Sequence, residues 1–324
     1  MRNLAALLPG IKYGHKVHAN EMAGAPANVH VGNMLYVDAN SGNNSTNSGT
    51  SWNDAFKTLS KAEDTATTNN YDQIIVAPNG TSGTAETATI TWDKNHISVV
   101  GAAAPVSVSQ RSRIVTTTDS VDPCYTLSGA GNQFINLQMA TWQASNDVLI
   151  NVTGERNYFG NTHLAGIGHA TAGDDTSARC LLITGAGENE FVGCTIGVDT
   201  IARSVANASF EATGSCPRNI FRDCFFPLFA DNSGALFCKL DTGNCNERFL
   251  LFQRCLFNNP NVNGSATKIT VAFDTAGAGN GTIIMNECYG LGFTDWANNF
   301  AAMHSAGMAE QPTAATAGIM LVLA

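Results

Sequence analysis

Charge is scarce in this chain: 13% of its 324 residues are Asp, Glu, Lys or Arg, and 26 acids against 17 bases leave a formal charge of −9. No Lys/Arg cluster with interleaved aromatics offsets that balance, so nucleic acid is set aside as a partner. A run of about twenty apolar residues, the length of a membrane span, occurs nowhere. The start, MRNLAALLPG, has too short an apolar stretch for a secretory leader, so neither a membrane nor export is expected. Cys-x-x-Cys pairs are also missing, which removes the usual zinc signature, and no metal or other cofactor is expected.

What the chain does have is a repeat. Between Cys124 and Gly290 one phrase returns about every thirty residues, as GNQFINLQM, RNYFGNTHL, ENEFVGCTI, RNIFRDCFF, LLFQRCLF and IIMNECYG. A first row holds Phe134, Phe159, Phe191, Phe221, Phe252 and Met285. A second row, three positions on, holds Leu137, Thr162, Cys194, Cys224, Cys255 and Cys288. A third row, two further on, holds Met139, Leu164, Ile196, Phe226, Phe257 and Gly290.

Strand side chains alternate, so the second and third rows share a face. The odd offset between the first and second rows requires a bend between them. The position in the bend reads Asn136, Asn161, Gly193, Asp223, Arg254 and Glu287. The first four tolerate positive φ or a tight polar turn, whereas Arg254 and Glu287 depart and predict a different bend in the last coils.

Upstream of the phrases lie apolar runs ending in a glycine turn, among them CYTLSG, LINVTG, CLLITG and CKLDTG, so each repeat holds at least two strands. Strands this short cannot each bury a face alone, but coils stacked at about 4.8 Å bury a continuous column. The expected fold is all-β, a parallel β-helix solenoid of about seven coils in one elongated domain. Seven of the nine cysteines fall in or beside the strand rows, and the second row also accepts Leu137 and Thr162. That favours packed, reduced thiols over disulfides, and with them assembly in a reducing cytoplasm.

Around this body the chain divides into an arm at residues 1–33, the β-helix at 34–290, and a capping or assembly segment at 291–324. The arm shows no sustained periodicity. In SWNDAFKTLSKAEDTATTNN, residues Trp52, Ala55, Phe56, Leu59 and Ala62 recur at helical spacing, with Ser51 as the expected N-cap. This predicts an N-terminal capping α-helix near residues 52–66, closing the open end of the first coil. At the far end DWANNFAAMHSAGMAEQP predicts a short helix before Pro312, and GIMLVLA predicts a terminal apolar strand. Leu4, Leu7, Leu8, Ile319, Leu321 and Leu323 are the candidate assembly residues.

The segment YVDANSGNNSTNSGTSWNDAFKTLSKAEDTATTNNYDQIIVAPNG resembles the opening of right-handed parallel β-helix proteins of the pectin-lyase-like class. The marks are Val37 and Asp38, Trp52, Ala55, Phe56 and Leu59, then Pro78 and Gly80. Together with the F-x-[ND]-C-x-F phrases the likeness spans roughly residues 34–290. It implies the fold and leaves open an activity, because the class includes pectate lyases, polygalacturonases, phage tailspikes and noncatalytic phage virion proteins. With a nonrepetitive arm and an apolar C-terminal strand, the chain looks most like the virion members.

Polysaccharide cleavage needs a paired acid and base or nucleophile at a set separation. The local candidate is NTHLAGIGHATAGDD, with His163, His169, Asp174 and Asp175, and Glu188 and Glu190 following one strand later. Polygalacturonases carry an Asp pair, a later Gly-His-Gly and then Arg-x-Lys. Here Gly168-His169-Ala170 precedes the Asp pair and no Arg-x-Lys follows. Arg156, Arg179, Arg218 and Arg222 are expected to ladder with Glu155, Glu188 or Asp223 on adjacent coils. Trp142 and Tyr289 are the aromatics expected to be exposed, with Trp142 the candidate for stacking on a sugar.

The expected function is therefore a noncatalytic phage virion protein, trimeric, on the capsid surface as decoration, cement or spike, with the major capsid protein as partner. The alternative is a tailspike-like protein that binds cell-surface polysaccharide, or a depolymerase using Asp174, Asp175 and Glu190.

Overall fold

In the computed structural model, which describes residues 32–79, 83–241, 245–260, 267–299, 303–306 and 320–321, the repeated phrase is the junction of two walls. Its first half lies on wall A, a ten-stranded sheet from Met34–Val37 to Met303–Ala306. Its second half lies on wall B, nine strands from Thr84–Glu86 to Met320–Leu321. The glycine-terminated runs form wall C, eight strands from Ile90–Trp92 to Phe293–Ala297. Neighbouring strands pair in parallel, coil on coil, so the chain is a right-handed parallel β-helix. Eight to ten strands per wall exceed the seven coils expected. The outer coils carry Leu35, Ile74 and Val99 in the Phe register, so they lack the phrase that marks the inner ones.

The first row superimposes. Phe134, Phe159, Phe191, Phe221 and Phe252 stack with centroids 5.1, 4.7, 4.7 and 4.9 Å apart, and all are buried. That is the strand spacing itself, and each aromatic pair adds about 0.5–1.5 kcal/mol beyond its area burial. All six bend residues, Arg254 and Glu287 included, have φ between 45° and 62°. The expected change of bend in the last coils is thus not found. The rows on either side must both point inward, and that requirement sets the backbone whatever the residue.

The second row explains its own composition. Thr162 donates its hydroxyl to the carbonyl of Phe134 one coil earlier at 3.0 Å. Cys194, Cys224, Cys255 and Cys288 donate their thiols in the same way to Phe159, Phe191, Phe221 and Phe252, at 3.3 to 3.5 Å. All nine cysteines are buried, and none is joined in a disulfide. Burial pushes the Cys124 thiol up to about 11, so it stays protonated.

A further ladder was not anticipated. Asn132, Asn157, Asn189 and Asn219, buried at the turn from wall C to wall A, are linked coil to coil. The Asn132, Asn157 and Asn189 backbone N–H groups each donate to the next coil's side-chain Oδ1 at 2.9 Å. The residue before each, Gly131, Arg156, Glu188 or Arg218, has positive φ, which turns the Asn inward.

The cap is built differently from the continuous helix expected over 52–66. Trp52–Asp54 is one 3-10 turn, Ala55 and Thr58 are extended, and the α-helix is Leu59–Thr65. Phe56 bridges Val37, donating its N–H to Tyr36 at 2.9 Å and accepting from Asp38 at 2.8 Å. That pairing breaks the helix. The N-cap is Thr58, which accepts from Lys61 N–H, while the buried Glu86 accepts from Leu59 N–H at 2.8 Å. Leu59 and Ala62 face the core, so the helix closes the first coil as expected.

At the other end the coils continue past residue 290. Phe293–Ala297 and Met303–Ala306 are strands where a short helix was expected. Phe293 and Trp296 fill the bore beside Gly290, where any Cβ would lie 2.1 Å from the Phe293 ring. Met320–Leu321 pairs with Gly290 and Leu291 of the same chain, so part of the terminal apolar run extends wall B. Leu4, Leu7, Leu8, Ile319 and Leu323 lie outside the described residues. No helix among those described is long and apolar enough to cross a membrane.

Two outcomes follow. Asn189→Ala leaves the buried Asn157 N–H without its acceptor and is expected to cost about 1–3 kcal/mol, read as a lowered urea midpoint. Glu63, in the capping helix, is pushed up to about 7 by burial, which outweighs the attraction of Lys94. A raised carboxyl favours the folded state while protonated, so its contribution is full below about pH 4.5 and is lost as pH rises toward 7. Between pH 5 and 7.5 the wild type is expected to lose about 1–2 kcal/mol relative to Glu63→Gln, whose thermal melts should show no such slope.

Candidate functional site

The outer surface is divided by chemistry. Along the turns flanking wall A runs an ion-pair ladder: Arg156 bonds Glu188 at 2.6 Å and Arg218 bonds the same Glu188, as expected, whereas Arg222 bonds Glu190 and it is Arg254 that grips Asp223 at 2.7 and 2.8 Å. The Arg218 guanidinium holds Glu188, and Arg254 holds Asp223, below the ordinary carboxylate range. Wall C carries a second network in which Arg179 and Lys239 both meet Glu211, and Lys239 also meets Asp241 at 2.9 Å.

The candidate acids fall in separate places. Glu190 lies on wall A and is paired with Arg222. Asp174 follows the short helix Ala170–Gly173, between walls B and C, and accepts the Ser204 hydroxyl. Asp175 accepts from Ser177 N–H at 2.6 Å, and His169 caps that helix by accepting from Thr171 N–H. Among the described residues no three His, Cys, Asp or Glu side chains stand together as metal ligands.

Wall B presents a different face. The residues just after the second row point outward, and in register they run Arg113, Gln138, His163, Thr195, Phe225, Leu256 and Tyr289. The segment after the third wall A strand folds over the upper part of this row. Ser109 N–H donates to His163 Nδ1 at 3.1 Å, Gln110 Nε2 to the Asn161 carbonyl at 2.8 Å, and Thr195 Oγ1 to the Ser107 carbonyl at 2.7 Å.

Between that flap and the loop after Gln138–Thr141 lies a cavity of about 180 Å³. Val108, Trp142, Gln138, His163, Asp199 and Phe225 line it. Trp142 is 41% exposed, as expected, and Gly168 in the next coil leaves the space its indole edge occupies, since a Cβ there would sit 2.9 Å from it.

His163 is held as a neutral ring. Its Nε2–H donates to the Gly197 carbonyl at 2.9 Å, and its Nδ1 accepts from Ser109 and, at 3.3 Å, from Gln138 Nε2. Burial lowers its pKa, so it orients neighbours and does not exchange protons at neutral pH. Gln138 is thereby fixed with its amide nitrogen spent and its buried Oε1 without a donor.

Gln138 and Asp199 escaped the sequence reading. The signal for Gln138 was its place one residue after Leu137, on the outward alternate of the strand. Asp199 and Val108 had none, since they reach the cavity only through loops.

No protein-family model and no curated protein sequence matches the chain. Among solved structures it is similar to pectate lyase Pel9A at 15% identity and a TM-score of 0.52, over 91% of this chain and 75% of that one. It is similar to a pectin methylesterase variant in complex with a hexasaccharide at 13% identity and 0.54, over 89% and 92%. A protein of Geobacillus virus E2 overlaps less, with a TM-score of 0.46 at 15% identity over 74% and 50%. The first two likenesses concern the backbone path, and they show that this chain has the pectin-lyase-like parallel β-helix fold.

Proposed function

We propose that the protein is a noncatalytic structural component of a phage virion, a decoration, cement or spike protein on the capsid surface, acting as a homotrimer against the major capsid protein. One observation carries this reading: Glu188, Glu190 and Asp223 beside wall A and Glu211 on wall C are engaged in ion pairs from coil to coil, and Glu190 lies on wall A whereas Asp174 and Asp175 follow the short helix between walls B and C. A glycosidase needs two carboxyl groups facing one scissile bond. Here the carboxylates tie rungs to each other. The stacked aromatic spine and the buried side-chain ladders suit a particle exposed to proteases, because unfolding must break many coil-to-coil contacts before any coil is released. Nine unbridged, buried cysteines suit assembly in the host cytoplasm before release.

The test combines three readouts on the full chain. Sedimentation should give a trimer, mass spectrometry of particles purified from the source culture should recover the chain with the major capsid protein, and a reducing-sugar assay on a panel of polysaccharides should stay at background. Turnover of any polysaccharide, or absence of the chain from particles, would overturn the structural reading.

A further inference from the structure

Three features outside the ladders call for explanation. Arg203 is fully buried, with Nη2 on Ser209 Oγ at 3.0 Å, and it does not line the wall B cavity. The second is Glu63 beneath the capping helix, whose titration belongs to stability. The third is the cavity of wall B, where geometry, burial and chemistry converge on one ligand class.

We propose that the wall B cavity is a binding site for one residue of a neutral, hexose-containing glycan, whose chain continues along the solenoid axis over Phe225, Leu256 and Tyr289. Trp142 stands at the cavity with its ring 41% exposed, and a flat indole beside a small pocket matches the apolar face of a pyranose. The volume, about 180 Å³, admits one sugar ring and is below that of a drug-sized site.

Polar recognition is also in place. Gln138 is 3% exposed and its nitrogen is held by His163, so it forms a fixed polar part of the cavity lining. Asp199 adds an acceptor at the same cavity. With Asp199 as acceptor and Arg113 as donor beside the indole, the lining favours a hydroxyl-bearing ligand over an apolar one.

Direction comes from the register. Phe225, Leu256 and Tyr289 are consecutive partners on wall B, one coil rise apart, and Leu256 and Tyr289 are 37% and 50% exposed. One sugar unit is about as long as one coil rise of ~4.8 Å, so an extended glycan would meet one of these side chains per unit. Charge selects the class. At the cavity the Asp199 carboxylate is offset by the Arg113 guanidinium, so no net local charge calls for an ionic sugar, and the net charge of −9 opposes an acidic polysaccharide.

The site stands apart from the structural role: a capsid protein that holds a glycan remains a capsid protein. The experiment therefore probes binding alone, on the full chain. Immobilised neutral hexasaccharides, including maltohexaose, cellohexaose and a mannan fragment, are compared with hexagalacturonate, followed by titration of the best binder. At least one neutral glycan should bind, and Trp142→Ala should weaken it roughly tenfold or more. Asp199→Ala should weaken it severalfold, and Tyr289→Ala should weaken the hexasaccharide while sparing the disaccharide. All three side chains sit at the surface, and unchanged circular-dichroism melts would show that the variants fold. Silence across the neutral set, binding indifferent to Trp142→Ala, or tighter binding of hexagalacturonate would each overturn the proposal.

Discussion

Everything in this molecule depends on the bend between walls A and B, where one residue per coil takes left-handed backbone. Phe159 and Thr162 must both enter the bore although three positions separate them, and Asn161 reconciles the two by turning at φ 45°. For a residue other than glycine such a conformation costs about 1–2 kcal/mol. The coils offset that cost locally. The N–H of Asn161 donates to Val192 in the next coil at 2.8 Å, that of Asp223 to Gln253 at 2.9 Å and that of Arg254 to Asn286 at 2.8 Å. On the other side of the bend, the Thr or Cys side chain returns a hydrogen bond to the coil before. A bend is therefore stable only inside a stack, which makes the repeat the unit of sequence and the stack the unit of stability.

The sequence was legible where this constraint repeats. The Phe and Cys rows and the inner bends follow from a spacing that only one backbone path satisfies. Arg254 and Glu287 misled because residue preference was weighed above position, whereas the neighbours on both sides had already decided the backbone. The Asn132–Asn157–Asn189–Asn219 ladder stood in plain view two residues before each Phe. It went unread because a polar residue at a strand start is ordinarily a surface residue, and only the positive φ before it turns it inward.

Long-range pairing defeated the reading elsewhere. Trp52 to Ala62 carries a helical stripe, yet Phe56 gains more by joining Val37 as a strand than by extending the helix backwards. The residues from Asp295 to Met303 are rich in Ala and Asn and read as a helix. Phe293–Ala297 is a strand instead, because Phe293 and Trp296 complete the bore that Gly290 leaves open. The site was the least legible part: Ser109 meets His163 across 54 residues of sequence, and Thr195 meets Ser107 across 88.

The same repetition that builds the core decides where recognition is possible. On a solenoid each outward position is presented once per coil, so a wall acquires the chemistry of its row. The turns of wall A repeat Arg against Glu or Asp, and wall C repeats Arg179, Glu211 and Lys239, so these charges satisfy one another before any ligand arrives. Wall B repeats uncharged side chains from Gln138 onward and ends in Leu256 and Tyr289, which no ion pair occupies. A binding surface needs groups whose hydrogen-bonding and apolar capacity is still unspent. Among the described walls that condition is met where the flap from Ser107 to Gln110 leaves Trp142 uncovered beside Gln138.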